Sequence, residues 1–244
     1  MLDWFTPLTA RHALSIEQGA TLEDRGFVVL PGIIEPDRVE ELAHSYDASV
    51  AGATGDDLKI GSTSNRVTDF VNRGPVFDAL YLVPPLLDAC CRVIGRPFKL
   101  SSFHARTVRP GSPSQEMHVD VRRDTADWPL LGFIFMVDEF RPDNGATRFV
   151  PGSHRWTTTP SEATSDLRAD DDGQLLACGS AGSLLVFNGS TWHGHAAHRS
   201  DAPRRSLQGA FIPRQGRAGT DFAARMSTET HARLGPLAQW VLGL

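Results

Sequence analysis

From Phe98 onward the chain consists of short apolar segments cut apart by turn dipeptides, and this restricts its fold more than any other feature. Pro110-Gly111, Asp143-Asn144-Gly145, Pro151-Gly152 and Asn188-Gly189 supply the breaks. Glycine accepts the positive φ that tight turns demand, and proline fixes φ and withholds a donor. The segments between the breaks predict strands over 98–108, 116–121, 131–138, 146–150, 182–187 and 205–212. Strands this short, at this spacing, build a sandwich or barrel.

The first third reads differently. Ser15 is placed to cap a helix over Ile16–Asp24, which Gly26 ends. Phe27-Val28-Val29-Leu30 is a short apolar strand closed by Pro31-Gly32. Glu35-Pro36-Asp37 opens a second helix with Val39, Leu42, Ala43 and Tyr46 on one face. Ala51–Asn65 is rich in Gly, Ser, Thr and Asp and reads as an exposed loop, either a lid over the mouth or a simple connector. A third helix covers Pro84–Ile94, an acidic solvated loop covers 161–173, and a short helix covers 236–244. No linker divides these parts. The expectation is one domain over 1–244: a mixed segment (1–96), a β core (97–213) and a helical tail (214–244). Its class is mainly β with flanking helices.

Composition removes several functions. The net charge is −5, and the 22 arginines are scattered, which argues against nucleic acid as a partner. No apolar run approaches bilayer length, and Met1–Phe5 shows no secretory pattern. Three cysteines, two of them adjacent, give no disulfide framework. The expected setting is the reducing cytoplasm, as a monomer or homodimer acting on a small molecule, without membrane attachment.

His118-Val119-Asp120 lies on the predicted strand 116–121. Side chains two apart on a strand share a face, so this imidazole and carboxylate reach one metal ion. Two histidines and one carboxylate on one face of an octahedral ion leave three positions open, the arrangement of non-haem Fe(II) oxygenases. A chain with nine His and 20 Asp holds about 0.7 His-x-Asp by chance, so context must decide. Candidates for the second imidazole are His193, His195 and His198, after the turn Asn188-Gly189. Arg204 follows at the start of the last apolar strand.

This context resembles the phytanoyl-CoA dioxygenase family of Fe(II)/2-oxoglutarate oxygenases. The resemblance rests on His118-x-Asp120, on Asp143-Asn144-Gly145-Ala146-Thr147-Arg148-Phe149-Val150-Pro151-Gly152-Ser153-His154, and on Trp192-His193 and Arg204. The stretch Gly26–Gly32 followed by a helix is similar to the family's N-terminal start. The resemblance implies a double-stranded β-helix (jelly-roll, cupin-like) core. It implies that His118, Asp120 and His193 hold Fe(II), with 2-oxoglutarate and O2 as cosubstrates. Arg204 would meet the distal carboxylate of 2-oxoglutarate as a planar, two-pronged cation. Ser206, two residues on, would join it on the same strand face, and Leu207, Gly209 and Phe211 would face the other side. Thr147 is a candidate donor to the cosubstrate. His195 and His198 would stand outside the metal, either behind the ligating imidazoles, orienting them, or at the mouth of the site, and His154 belongs to a structural turn.

Related halogenases carry a small residue where this chain has Asp120, so hydroxylation or another oxidation of an unactivated C–H is expected, with release of succinate and CO2. Candidate substrate-pocket residues are Phe103, Arg106, Arg122, Trp128 and Trp192. Arg106 and Arg122 either face an anionic substrate group or pair with Asp124, Asp127 or Asp138. The acyl-CoA of the family name does not transfer, since no basic patch suits its phosphates. Two other readings keep parts of this pattern. A jelly-roll metalloenzyme without 2-oxoglutarate would make Arg204 dispensable, and a non-catalytic ligand-binding β-sandwich would leave the histidines structural.

Overall fold

The turn-bounded segments pair antiparallel throughout the computed structural model, which describes residues 3–123 and 128–244. Ten strands are present among the described residues: β1 (Phe27–Leu30), β2 (Leu58–Ile60), β3 (Ser64–Val67), β4 (Phe98–Val108), β5 (Leu131–Met136), β6 (Thr147–Phe149), β7 (Leu175–Ala177), β8 (Leu184–Asn188), β9 (His193–His195) and β10 (Arg204–Pro213). Seven form one sheet in the order β1-β8-β5-β10-β4-β3-β2, and three form a second in the order β7-β6-β9. This is a jelly-roll architecture. Helices α1 (Phe5–Thr9), α2 (Ile16–Arg25), α3 (Pro36–Ala51) and α4 (Pro84–Ile94) precede the core strands. A one-turn helix, α5 (Pro160–Ala163), sits between β6 and β7, and α6 (Phe222–Arg225), α7 (Thr228–Arg233) and α8 (Pro236–Leu242) end the chain.

The helix boundaries follow local chemistry. Ser15 Oγ accepts from the Gln18 amide while Gln18 Oε1 accepts from the Ser15 amide, a capping box for α2. Gly26 then ends α2 at φ 82°, in the left-handed region. A Cβ there would press on the rings and hydroxyls of His154 and Thr191, each 2.5 Å away. The glycine thus serves both the turn and the close approach of the β core.

The large sheet is apolar on its helical side. Leu100, Phe103, Phe133, Phe135, Leu207 and Phe211 pack there with residues of α1, α2, α3, α4 and α8. Its other face, through Ile134, Met136, Leu185 and Phe187, packs on Phe149 and Ala177 of the small sheet. Coverage of both faces explains why β5 (LGFIFM) is apolar throughout instead of alternating.

Gly209 is needed for space in this packing. It stands opposite Phe103 on one side and Phe133 on the other, and the two rings close over it with centroids 6.0 Å apart. A Cβ would collide with the Phe133 ring and the Ser102 carbonyl. Gly209→Ala is therefore expected to destabilise by about 2 kcal/mol, read as a lower denaturant midpoint at unchanged slope.

Two expectations are corrected. Residues 116–121 form no regular strand; only one bridge, His118 with His193, ties them to β9. Nearby backbone groups are satisfied individually, Gln115 N by the His195 carbonyl and Asp120 N by the Gly189 carbonyl. Residues 51–65 are not simply a loop. They hold β2 and the start of β3, which pair with each other and, through β3, with β4. Arg109 fixes their turn by donating to the carbonyls of Gly61 and Ser62. The polar composition reflects an edge hairpin with one side in solvent. Among the described residues no helix is long and apolar enough to cross a membrane.

Candidate active site

A cavity of about 290 Å³ opens between the two sheets. The β4 and β10 strands supply one wall, Thr147 and β9 supply the opposite one, and Gln115, His118 and Asp120 close the end.

His118, Asp120 and His193 meet at this end, their ligand atoms all within 4.8 Å of one another. Asp120 Oδ1 lies 3.9 Å from His118 Nε2 and Oδ2 lies 3.7 Å from His193 Nε2. Each imidazole has its Nδ1 against a carbonyl, that of Glu116 at 2.8 Å for His118 and that of Thr191 at 2.9 Å for His193. A carbonyl only accepts, so Nδ1 carries the proton and Nε2 presents its lone pair to the centre. Burial, and then His193, pull the His118 pKa down to about 4, which keeps this ring in its ligating form at neutral pH. Two oriented imidazoles and a carboxylate suit an octahedral Fe(II) with open positions.

The local chain explains how the ligands converge. The Phe149 and Phe187 rings flank His193 at 5.6 and 4.8 Å. Ser153 Oγ, in the Pro-Gly-Ser-His turn, accepts from the Trp192 amide and donates to the Val150 carbonyl, fixing the start of β9. His154 Nε2 faces the Glu23 carbonyl at 3.1 Å, on the α2 side and away from the metal ligands. Gly194 lets the 115–116 backbone approach, since a Cβ would sit 3.1 Å from the Gln115 carbonyl. Arg148, fully buried, donates to that carbonyl and to those of Leu167 and Ala169. It ties the acidic stretch 161–173 to the segment before His118, a role its place in the sequence motif did not reveal.

At the other end Arg204 is 1% exposed, and its Nε and Nη1 have no hydrogen-bond partner. Its guanidinium lies 3.8 Å from the centre of the Phe140 ring. Burial, then Arg106, lower its pKa to about 9, so it remains a cation at neutral pH. A buried cation with unfilled donors is costly unless an anion completes it, and the distal carboxylate of 2-oxoglutarate matches its fork. The neighbouring Arg205 points away and is paired with Asp138 and Asp47, each at 2.6 Å. The doublet therefore splits into one inward and one surface arginine.

Of the other residues singled out in the sequence, Thr147 and Arg106 line the cavity. Ser206 shares the inward face of β10, but its hydroxyl is engaged, donating to the Arg106 carbonyl and accepting from Gln208 Nε2, and it lies outside the lining. Phe103 belongs to the helix-side core, because it sits on the opposite face of β4 from Arg106. Trp192 packs on Met117 and Val150 and donates to the Thr158 carbonyl. Trp128 donates to the His154 carbonyl. Arg122 is an exposed partner of Glu162 at 3.0 Å. None of these four lines the cavity. Asp124 and Asp127 lie outside the described residues. Asp138 is held by Arg205, leaving Arg106 without it.

The cavity also contains Arg66, His104, Gln115 and Gln208, which sequence reasoning did not place there, and His195, which it placed beside the metal ligands or at the mouth. His195 packs against Thr63 Oγ1 at 3.0 Å instead of joining the metal ligands, and burial drops its pKa to about 3.

An antiparallel jelly roll with a His-Asp-His face and a buried arginine across one cavity defines an iron(II)- and 2-oxoglutarate-dependent oxygenase. The family "Phytanoyl-CoA dioxygenase (PhyH)" matches residues 22–206, and the chain belongs to it. "Iron/alpha-ketoglutarate-dependent dioxygenase okaE" of Penicillium ochrochloron is 28% identical over 198 residues, covering 74% of this chain and 64% of that protein. "Dioxygenase trt7" of Aspergillus terreus is 26% identical over 241 residues, 91% of this chain and 81% of that one. Among solved structures, HygX from Streptomyces hygroscopicus with nickel and 2-oxoglutarate bound superposes with a TM-score of 0.69 at 20% identity. That match covers 82% of this chain and 88% of HygX.

Proposed function

We propose that this chain hydroxylates, or otherwise oxidises, an unactivated C–H of a small-molecule metabolite, as one oxygenase domain over 1–244. The observation that carries this reading is the convergence of His118, Asp120 and His193 at one end of a cavity whose other end holds the unfilled guanidinium of Arg204. When bound there, Fe(II) with 2-oxoglutarate and O2 supplies oxidative decarboxylation to succinate and CO2, with the second oxygen atom going to the substrate.

The protein's own contribution is binding and orientation. His118 and His193, with protons fixed on Nδ1, offer neutral nitrogen ligands without a conformational search. Asp120 adds a negative charge and occupies the position that chloride would need, so halogenation is disfavoured. Arg204 holds the distal cosubstrate carboxylate, and the Thr147 hydroxyl lies in the same lining as a donor to it. The apolar residues Leu130, Ile134 and Phe187 limit water on one side of the cavity.

Anaerobic titration with Fe(II) and then 2-oxoglutarate tests the reading. A weak visible charge-transfer band is expected when the keto and carboxylate oxygens chelate the iron. Iron binding without the band would indicate a metalloenzyme that does not use this cosubstrate. Absence of stoichiometric iron binding would sink the enzymatic reading altogether.

A further inference from the structure

We propose that Arg148 is a positioning residue for the metal centre, acting on His118 through a relay of main-chain hydrogen bonds that the acidic stretch 161–173 completes. This rests on the oxygenase reading above and adds a residue that neither lines the cavity nor contributes a ligand atom.

Arg148 occupies the middle of β6, between Thr147 in the cavity lining and Phe149 in the core between the sheets. Strand parity turns it to the outer face of the small sheet, where an arginine would ordinarily meet water. It is instead fully buried. Its partner on β9 is Gly194, whose missing side chain leaves room for the 115–116 backbone to cross. Covering this face does not require a cation. Close by, beside the same acidic stretch, Met117, Val150 and Trp192 form an apolar seal. What the guanidinium adds over such a seal is fixed positions for the carbonyls it grips.

The relay runs atom by atom. Arg148 Nη2 donates to the Leu167 carbonyl at 3.1 Å, and the same carbonyl accepts from the Met117 amide at 2.7 Å. The Met117 N–H and the Glu116 C=O belong to one planar peptide unit, so fixing one fixes the other. The Glu116 carbonyl accepts from His118 Nδ1 at 2.8 Å, which leaves Nε2 aimed at the centre. Arg148 Nη2 also steadies the preceding peptide unit, at the Gln115 carbonyl 2.9 Å away. Its Nη1 grips the acidic stretch through the Ala169 carbonyl at 2.7 Å and Asp170 at 3.2 Å. Arg168 reinforces the junction by donating to the Ser114 carbonyl and to Glu116 Oε1. Burial lowers the Arg148 pKa, and Asp170, Asp166 and Asp171 oppose that fall, so the acids of this stretch act as its counter-charge. A metal ligand must be held to within about 0.5 Å. Residues 116–121 have no regular strand pairing to do this, and the brace from Arg148 takes its place.

The test titrates metal-free protein with cobalt(II) at fixed pH, following the visible d–d bands, while amide hydrogen exchange is read over residues 114–119. Arg148→Lys keeps the charge but offers a point donor that cannot span the Gln115, Leu167 and Ala169 carbonyls. It is expected to weaken cobalt(II) binding about 10-fold, to shift the bands and to speed exchange at Met117. Gly194→Ala puts a Cβ 3.1 Å from the Gln115 carbonyl and 3.2 Å from that of Glu116. It disturbs the same peptide units without altering Arg148, and the bands are expected to shift likewise. Asp170→Asn, at an exposed position, weakens only the counter-charge, with an expected loss of about 3-fold. Leu86→Ala, in the helix-side core, lowers the melting temperature but should leave affinity and bands unchanged. Unchanged affinity and bands in Arg148→Lys, or as large a loss in Leu86→Ala, overturns the proposal. If Arg148→Lys does not fold, unchanged binding in both Asp170→Asn and Gly194→Ala overturns it. Wild type that takes up no stoichiometric cobalt(II) would overturn the oxygenase reading, whereas normal wild-type binding with unresponsive variants overturns the brace alone.

Discussion

Arg204→Met is expected to weaken 2-oxoglutarate binding by about 100-fold, roughly 2.7 kcal/mol, and to raise the melting temperature of the protein free of cosubstrate. Both effects have one cause. The guanidinium is 1% exposed, two of its nitrogens lack partners, and the Phe140 face at 3.8 Å offers only partial compensation. In the free protein this is a buried charge whose desolvation is largely unpaid, and an apolar side chain of similar length removes that penalty. In the loaded protein the same donors meet a carboxylate, and methionine leaves that carboxylate buried without a partner. Calorimetric titration with 2-oxoglutarate and thermal scans with and without it read the two signs. A merely structural Arg204 would give the opposite pattern: a destabilised free protein with unchanged cosubstrate affinity.

Much of this was legible in the sequence because it depends on local chemistry. The caps of α2, the ends of α4 at Gly95 and the strand–turn alternation after Phe98 are set by residues close in sequence. The inward face of β10 was likewise readable: Arg204 turns to the cavity, while Leu207 and Phe211 turn to the helices. What failed depends on tertiary partners. Arg122, Trp128 and Trp192 stand near the ligands in sequence, yet each is claimed by a distant group: Glu162, the His154 carbonyl and the Thr158 carbonyl. Phe103 fell to strand parity, since Arg106 on the same strand faces inward and an odd offset must then face out. Arg66 was missed because its hairpin has a loop-like composition, and only pairing with β4 brings it to the cavity. His118 and Asp120 converge without a regular strand, because the backbone from 115 to 121 bonds to β9 through Gln115 and His118, to the Leu167 carbonyl through Met117, and to the turn at Gly189 through Asp120 and Val121. Period-two spacing foresaw the right pair on the wrong element.

Asp120→Ala is expected to lower iron(II) affinity by at least about 100-fold and to abolish uncoupled succinate formation, a loss of about 10³ or more. The two carboxylate oxygens reach toward different imidazoles, at 3.9 and 3.7 Å, so this side chain is the shared element of the site. The imidazole rings themselves lie 4.4 Å apart and bring no charge to balance a dication. Removing the carboxylate therefore takes away one ligand, the only anionic one in the lining among the described residues. Asp120→Glu separates the two contributions. It keeps the charge but extends the side chain by one methylene, at a position where Asp120 N is anchored to the Gly189 carbonyl. The glutamate variant should retain much of the iron and still lose about 10²-fold in turnover, the cost of misplacing a reacting group by roughly 1 Å. Metal content after anaerobic loading, set beside succinate release, distinguishes these outcomes. Stoichiometric iron and normal turnover in the alanine variant would show that the metal is held elsewhere. Equal loss of both in alanine and glutamate would show that charge without exact reach is insufficient even for binding.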